Sequence, residues 1–223
     1  WRVSGGYLYV VGSGDLPNFT AYNAPWSSKY QEINRVVIDG NITSIGSYAF
    51  YNRKRTEPIF VATSAENLRS LNIGNYAFYV DEKVANERFT ECLSENSTSK
   101  TLMNPLKLNI SGSIGERAFE NRLVFTNGLE FNYNGINKTN INTLNFSLSI
   151  GNYAFSMGAD KGGAKQDING INKDKYTNYD LKLPYCTTSI GAYAFFEFYR
   201  LKGLSFFGGI PTDVSTPTYA NNL

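Results

Sequence analysis

The residues of this chain able to do chemistry are few, and their spacing is poor. Histidine is absent, and Cys92 and Cys186 are the only thiols. A Ser-His-Asp or Cys-His nucleophilic site is therefore excluded, as is any zinc site that needs a histidine or four cysteines. The two thiols are read as buried and unpaired, with one disulfide as the alternative if the protein is exported. Asp167, Asn169, Asn172 and Asp174 offer oxygens to calcium. Asn172 stands where a calcium loop needs glycine, so the stretch reads as a turn. Asn134-Gly135-Ile136-Asn137 recurs as Asn169-Gly170-Ile171-Asn172, which is repeated turn chemistry. Carboxylates such as Glu57 and Glu66 lack a spacing suited to acid–base work. Metal and cofactor are accordingly expected to be absent, and the chain is expected not to be an enzyme.

Polar residues on strand-like segments remain. Lys107, Asn109, Asn145, Ser147 and Lys182 alternate with apolar neighbours, so they are expected to face outward and to line a binding face. Ordinary solvated strand surface is the competing reading. Six N-x-[ST] sequons, at Asn18, Asn41, Asn96, Asn109, Asn137 and Asn145, are read as chance in an Asn-rich chain. Net charge is +2, from 21 basic and 19 acidic residues. Nucleic acid is therefore not an expected partner. No apolar run approaches the ~18 residues of a membrane helix, so no membrane insertion is expected. The chain opens at Trp1 rather than methionine, which reads as a mature or a trimmed form and is compatible with a removed export signal.

The elements that position these residues come from a phrase written five times. It reads Ser44-Ile45-Gly46-Ser47-Tyr48-Ala49-Phe50 in its first copy. It returns around Ile73-Gly74-Phe78, Ile114-Gly115-Phe119, Ile150-Gly151-Phe155 and Ile190-Gly191-Phe195, at intervals of 28, 41, 36 and 40 residues. Such periods mark an array of stacked supersecondary units. Isoleucine, alanine and phenylalanine are expected inward, with the phenylalanines stacked as a ladder. Each glycine marks a sharp turn, needing either a positive φ or close backbone approach. The tyrosines Tyr48, Tyr76, Tyr153 and Tyr193 should cover the edge of the ladder.

Strands are expected before the phrases at 35–38, 59–61, 106–110, 144–148 and 181–184. The first ten residues read as a hairpin around Ser4-Gly5-Gly6, followed by a helix presenting Trp26, Tyr30 and Ile33. Residues 1–34 thus form an N-terminal cap, and 35–223 the repeats, in one domain. A degenerate sixth coil is expected from Ile210, with Pro217 and Thr218 where isoleucine and glycine would fall. Polar inserts at 79–105, 120–140 and 156–180 are read as loops on one edge.

The phrase with its preceding strand resembles the BspA-like leucine-rich repeats, also called the Treponema pallidum type. The fifth copy, Leu181-Lys182-Leu183-Pro184 to Ala194-Phe195, carries the resemblance best, and the opening from Trp1 to Trp26 resembles the cap that precedes such repeats. The resemblance implies a right-handed α+β or mainly β solenoid, each coil with one strand and a short helical or turn segment. It also implies an exported or cell-surface protein of a host-associated bacterium, active in adhesion. A protein ligand (host matrix or microbial surface protein) is the expected partner, through the strand face and inserts. A glycan-binding surface protein and a structural spacer of a larger surface protein are the alternatives. No family-wide catalytic residue exists to carry over.

Overall fold

The computed structural model describes residues 1–51, 57–60, 69–81, 106–108, 110–121, 129–131, 147–156, 179–184, 186–196 and 201–207. The chain opens with β1 (Arg2–Ser4) and β2 (Tyr7–Val10), an antiparallel hairpin. Its turn residues Gly5 and Gly6 sit at φ +57° and +81°, the left-handed pair that a two-residue hairpin turn requires. β3 (Gly14–Asp15) follows, then one 3₁₀ turn at Ser27–Lys29. The helix expected there is only this turn, yet Trp26, Tyr30 and Ile33 are all buried. Pro25 and the polar Ser27-Ser28 start a turn but leave too few apolar contacts to extend it.

Each repeat then contributes a first and a second strand, the second being split in two in the second repeat. They are β4 (Arg35–Ile38) with β5 (Ile42–Ile45), then β6 (Glu57–Phe60) with β7 (Arg69–Ser70) and β8 (Asn72–Ile73). β9 (Leu106–Leu108) with β10 (Ile110–Ile114) and β11 (Leu129–Phe131) with β12 (Leu148–Ile150) come next. β13 (Tyr179–Pro184), β14 (Thr187–Ile190) and β15 (Leu201–Phe207) complete the order. Every strand pair except β1–β2 is parallel. The first strands run β1-β2-β4-β6, with β9-β11 and β13-β15 as further pairs, β9 lying against β6 and β13 against β11. The second strands form one sheet in the order β14-β12-β10-β8-β5-β3. This is a β-rich repeat fold with no α-helix among the described residues.

Four expectations change. Two strands and a turn stand where one strand and a short helical or turn segment were expected. The stretch 106–110 is split between β9 and β10, which pair with different neighbours. The fourth coil's first strand is Leu129–Phe131, inside a segment read as insert; three residues flanked in sequence by Asn and Gly give too short an alternation to stand out. Leu144–Phe146 lie outside the described residues, and only Leu148 of that expected strand falls in β12. A strand not expected from the sequence, β15 at Leu201–Phe207, pairs with β13, while Ile210, where the sixth coil was expected, lies outside the described residues. Pro217, Thr218 and both Asn-Gly tetrads lie outside the described residues.

The phrase builds the core. Ile45, Ile73, Ile114 and Ile150 are buried, and so are all five alanines and all five phenylalanines, while Ile190 is half-buried. Phe50, Phe78, Phe119, Phe155 and Phe195 stack at 4.9, 5.0, 5.4 and 5.5 Å between ring centroids, with interplanar angles of 4–16°. Trp26 continues the ladder at 5.2 Å from Phe50 and donates from Nε1 to the Ala49 carbonyl at 2.8 Å. Burial of each ring contributes about 2–3 kcal/mol.

The glycines serve close approach, not positive φ. A Cβ on Gly151 would stand 2.7 Å from backbone atoms of Gly115 and Glu116. Gly74, Gly115 and Gly191 press equally on the preceding coil. Positive φ falls two residues later, on Tyr48, Tyr76, Arg117, Tyr153 and Tyr193, at 54–60°. A side chain in that region costs about 1–2 kcal/mol. The cost recurs in every repeat because the turn reverses there and its backbone pairs with the next coil. Phe50 N–H bonds the Ala77 carbonyl at 2.7 Å, and Gly74 N–H bonds the Ile45 carbonyl at 2.7 Å.

Candidate functional site

The first-strand face follows from alternation. Leu8, Val10, Val36, Ile38, Leu106, Leu108, Leu129, Leu181 and Leu183 point inward and are buried. Their neighbours face out. In register, Tyr7 lies opposite Arg35, Tyr9 opposite Val37, Lys107 opposite Glu130, and Lys182 opposite Ser205. At the N-terminal end Arg35 Nη1 donates to the Tyr7 hydroxyl at 2.6 Å, and its guanidinium lies 5.5 Å from the Tyr7 ring centre. Arg2 covers Tyr9 at 4.7 Å, and the two tyrosine rings stack at 5.8 Å.

The five residues chosen from sequence do not all meet. Lys107 and Lys182 are exposed on this face. Lys107 Nζ is 3.8 Å from Glu130 Oε2, with both side chains more than half exposed, a pair contributing at most about 1 kcal/mol. Ser147 is exposed too, but it precedes β12 and so belongs to the second sheet; its carbonyl accepts the Gly112 N–H at 2.6 Å. Asn109 and Asn145 lie outside the described residues. Among the sequons, the Asn18 carboxamide oxygen accepts the Ser47 N–H at 2.7 Å, and Asn41 donates to Asp39 at 3.2 Å.

The second sheet presents a row of small polar side chains, several of them bonded to one another. Asp15 pairs in register with Ser44, Ser44 with Asn72, and Ser113 with Ser149 and then Ser189. The Asn72 side-chain oxygen accepts both the N–H and the O–H of Ser113. Hydrogen bonds from Thr43 and Ser44 hold the exposed Asp15 carboxyl below the usual carboxylate range.

Asparagines after the repeat glycine do the same work between coils. Asn75 accepts the Glu116 N–H and Asn152 the Ala192 N–H, each at 2.9 Å. Asn152→Ala is expected to lower stability by about 1 kcal/mol, because the Ala192 N–H loses its partner. Asn152→Asp, which keeps the acceptor, should stay near the parent in a denaturant titration.

The turn edge carries two columns of side chains. Tyr48 stacks on Tyr76 at 5.0 Å, Arg117 lies over Tyr153 at 4.4 Å, and Tyr153 stacks on Tyr193 at 5.0 Å. Tyr51 stacks on Tyr79 beside them at 5.0 Å. In the third copy Arg117 and Glu120 replace the tyrosine pair. Glu120 is fully buried and accepts from Arg117 Nη1 at 2.9 and 3.0 Å. Sequence reasoning passed over this pair, although Arg117 is the one departure from tyrosine at its position. Burial pushes the Tyr51 phenol well above its usual range, with Tyr22 and Asp81 adding to the shift. Burial also raises the Tyr76 phenol, against an opposing effect of Arg117.

No cluster of three or more His, Cys, Asp or Glu suited to a metal occurs among the described residues. The calcium candidates at 167–174, Glu66 and Cys92 lie outside them, and Cys186 is buried.

Fold and faces together define a repeat protein, a β-rich stack of parallel strands. No protein-family profile matches the chain, and no curated protein does. Among solved structures, a leucine-rich repeat protein from Eubacterium ventriosum is similar at 17% identity and a TM-score of 0.29, over 92% of this chain and 68% of its own.

Proposed function

We propose that the chain is a non-enzymatic binding module that presents the outward face of its first strands to a protein ligand. The observation that carries this reading is the division of labour along each coil. The repeated residues are consumed by the core, while consecutive first strands offer Tyr7, Tyr9, Arg35, Lys107, Glu130 and Lys182 on one side. Aromatic and arginine side chains are good anchors for protein contacts. We assign the chain to the right-handed BspA-like leucine-rich repeats that its phrase resembles, and to the cell surface or exterior, with adhesion as its role.

A glycan-binding surface on the Tyr-rich inserts, which lie mostly outside the described residues, is the alternative, and the ladder tyrosines add little to it. Their ring faces lie against one another, so they offer edges where a sugar would need faces. The test is interferometry of the whole chain against matrix proteins. Lys107→Ala combined with Lys182→Ala is expected to weaken a detected complex about fivefold or more, as charged contacts at an interface do. Parental affinity for every detected ligand would show that binding uses another surface.

A further inference from the structure

We propose that the tyrosine cluster joining the first two repeats is a one-electron oxidation site that closes a dityrosine cross-link between them. Five phenols form a continuous chain of contacts. Tyr22 meets Tyr51 edge-on at 5.0 Å. Tyr51 stacks on Tyr79 at 5.0 Å and 7°, and Tyr48 on Tyr76 at 5.0 Å and 4°. Within each repeat, Tyr48 and Tyr51 are 5.4 Å apart and Tyr76 and Tyr79 are 5.5 Å apart.

Tyr22 is the phenol oxidised first. It is 37% exposed, and its hydroxyl donates to Asp81 Oδ2 at 2.8 Å. A neutral phenol must release its proton as it loses an electron, and a carboxylate at hydrogen-bond distance receives it. The oxidised site then passes to the stacked rings behind Tyr22. Backbone hydrogen bonds between the two turns, Tyr48 N–H to the Asn75 carbonyl at 3.1 Å and Phe50 N–H to the Ala77 carbonyl at 2.7 Å, hold those rings one coil apart. Coupling therefore needs ring movement and no change of strand pairing.

The chemistry balances with a ferryl oxidant of the peroxidase class. Two phenols each lose one electron and one proton. The two radicals join through a new carbon–carbon bond between ring carbons ortho to oxygen. The ortho hydrogens move to the oxygens and restore both rings. One hydrogen peroxide accepts the two electrons and two protons and becomes two waters.

The experiment exposes the dilute, full chain to a peroxidase with hydrogen peroxide, followed by tryptic mass mapping of the monomer. Tyr48 and Tyr51 are the tyrosines of peptide 36–53, and Tyr76 and Tyr79 those of peptide 70–83. The expected product joins these two peptides and is lighter than their sum by two hydrogens. Tyr22→Phe keeps the ring but removes the hydroxyl, and is expected to slow that product about tenfold. The stacked pair Tyr153–Tyr193, 5.0 Å apart, serves as the internal reference whose rate should not change. Three results would overturn the proposal: no joined 36–53 and 70–83 product in the monomer, an unchanged rate in Tyr22→Phe, or equal slowing of the reference pair.

Discussion

Gly151→Ala is expected to destabilise the protein by about 3 kcal/mol, at the upper end for overpacking. The new methyl would lie 2.7 Å from Glu116 N and Gly115 C, and 2.9 Å from Ile114 O. All three are backbone atoms of the preceding coil, so no side chain can swing aside. The same approach brings Gly151 N–H to the Ile114 carbonyl at 2.7 Å, so relieving the clash lengthens an inter-coil hydrogen bond. Gly5→Ala is the control. Gly5 has a positive φ of +57° but nothing within 4 Å of an added Cβ. It should lose only about 1 kcal/mol, from backbone strain alone. Thermal or denaturant midpoints of the two variants separate these effects. Equal losses would mean that the repeat glycine serves backbone conformation rather than coil contact.

Phe119→Ala should lower stability by about 4 kcal/mol. Phe119 is fully buried in mid-ladder, 5.0 Å from Phe78 and 5.4 Å from Phe155. Truncation empties a site that both neighbours face, and their coils are held apart by paired backbone, so collapse into the hole is limited. Repeat stability sums over nearest-neighbour interfaces, and a mid-stack lesion weakens two of them at once. Unfolding is therefore expected to broaden or split into two steps. Phe119→Leu, which refills most of the volume, should recover more than half of the loss. A single sharp transition at the parental midpoint would contradict the ladder's role in cohesion.

Much of this architecture was legible in the sequence because the core residues carry it. Isoleucine, alanine and phenylalanine at fixed offsets have one physical use in a repeat, and their burial follows from stacking. The first strand at 35–38 was legible from its run of β-branched residues, Val36, Val37 and Ile38, rather than from alternation. The position of the left-handed residue was not. Glycine is the usual bearer of positive φ, whereas here that angle falls on tyrosine, and glycine is reserved for contact with the neighbouring coil. Leu129–Phe131 was missed because parallel pairing with Leu106–Leu108 stabilises a strand that three residues cannot announce on their own.

The candidate site was less legible than the fold. Alternation correctly put Lys107 and Lys182 outward on first strands, but it cannot say which of two sheets a strand joins. Ser147 was therefore grouped with residues that belong to a different sheet. The Arg117–Glu120 pair was also missed, because its ion pair replaces a tyrosine couple through three-dimensional equivalence rather than chemical likeness.

Amide hydrogen exchange at Gly74, Gly115, Gly151 and Gly191 tests the central claim most directly. Each of these N–H groups bonds the isoleucine carbonyl of the preceding copy at 2.7 Å. If the phrase holds neighbouring coils together, all four should exchange slowly and at similar rates, released only when the stack opens. Exchange of these amides at the rate of unprotected loops, with β5, β10 and β12 still protected, would contradict it.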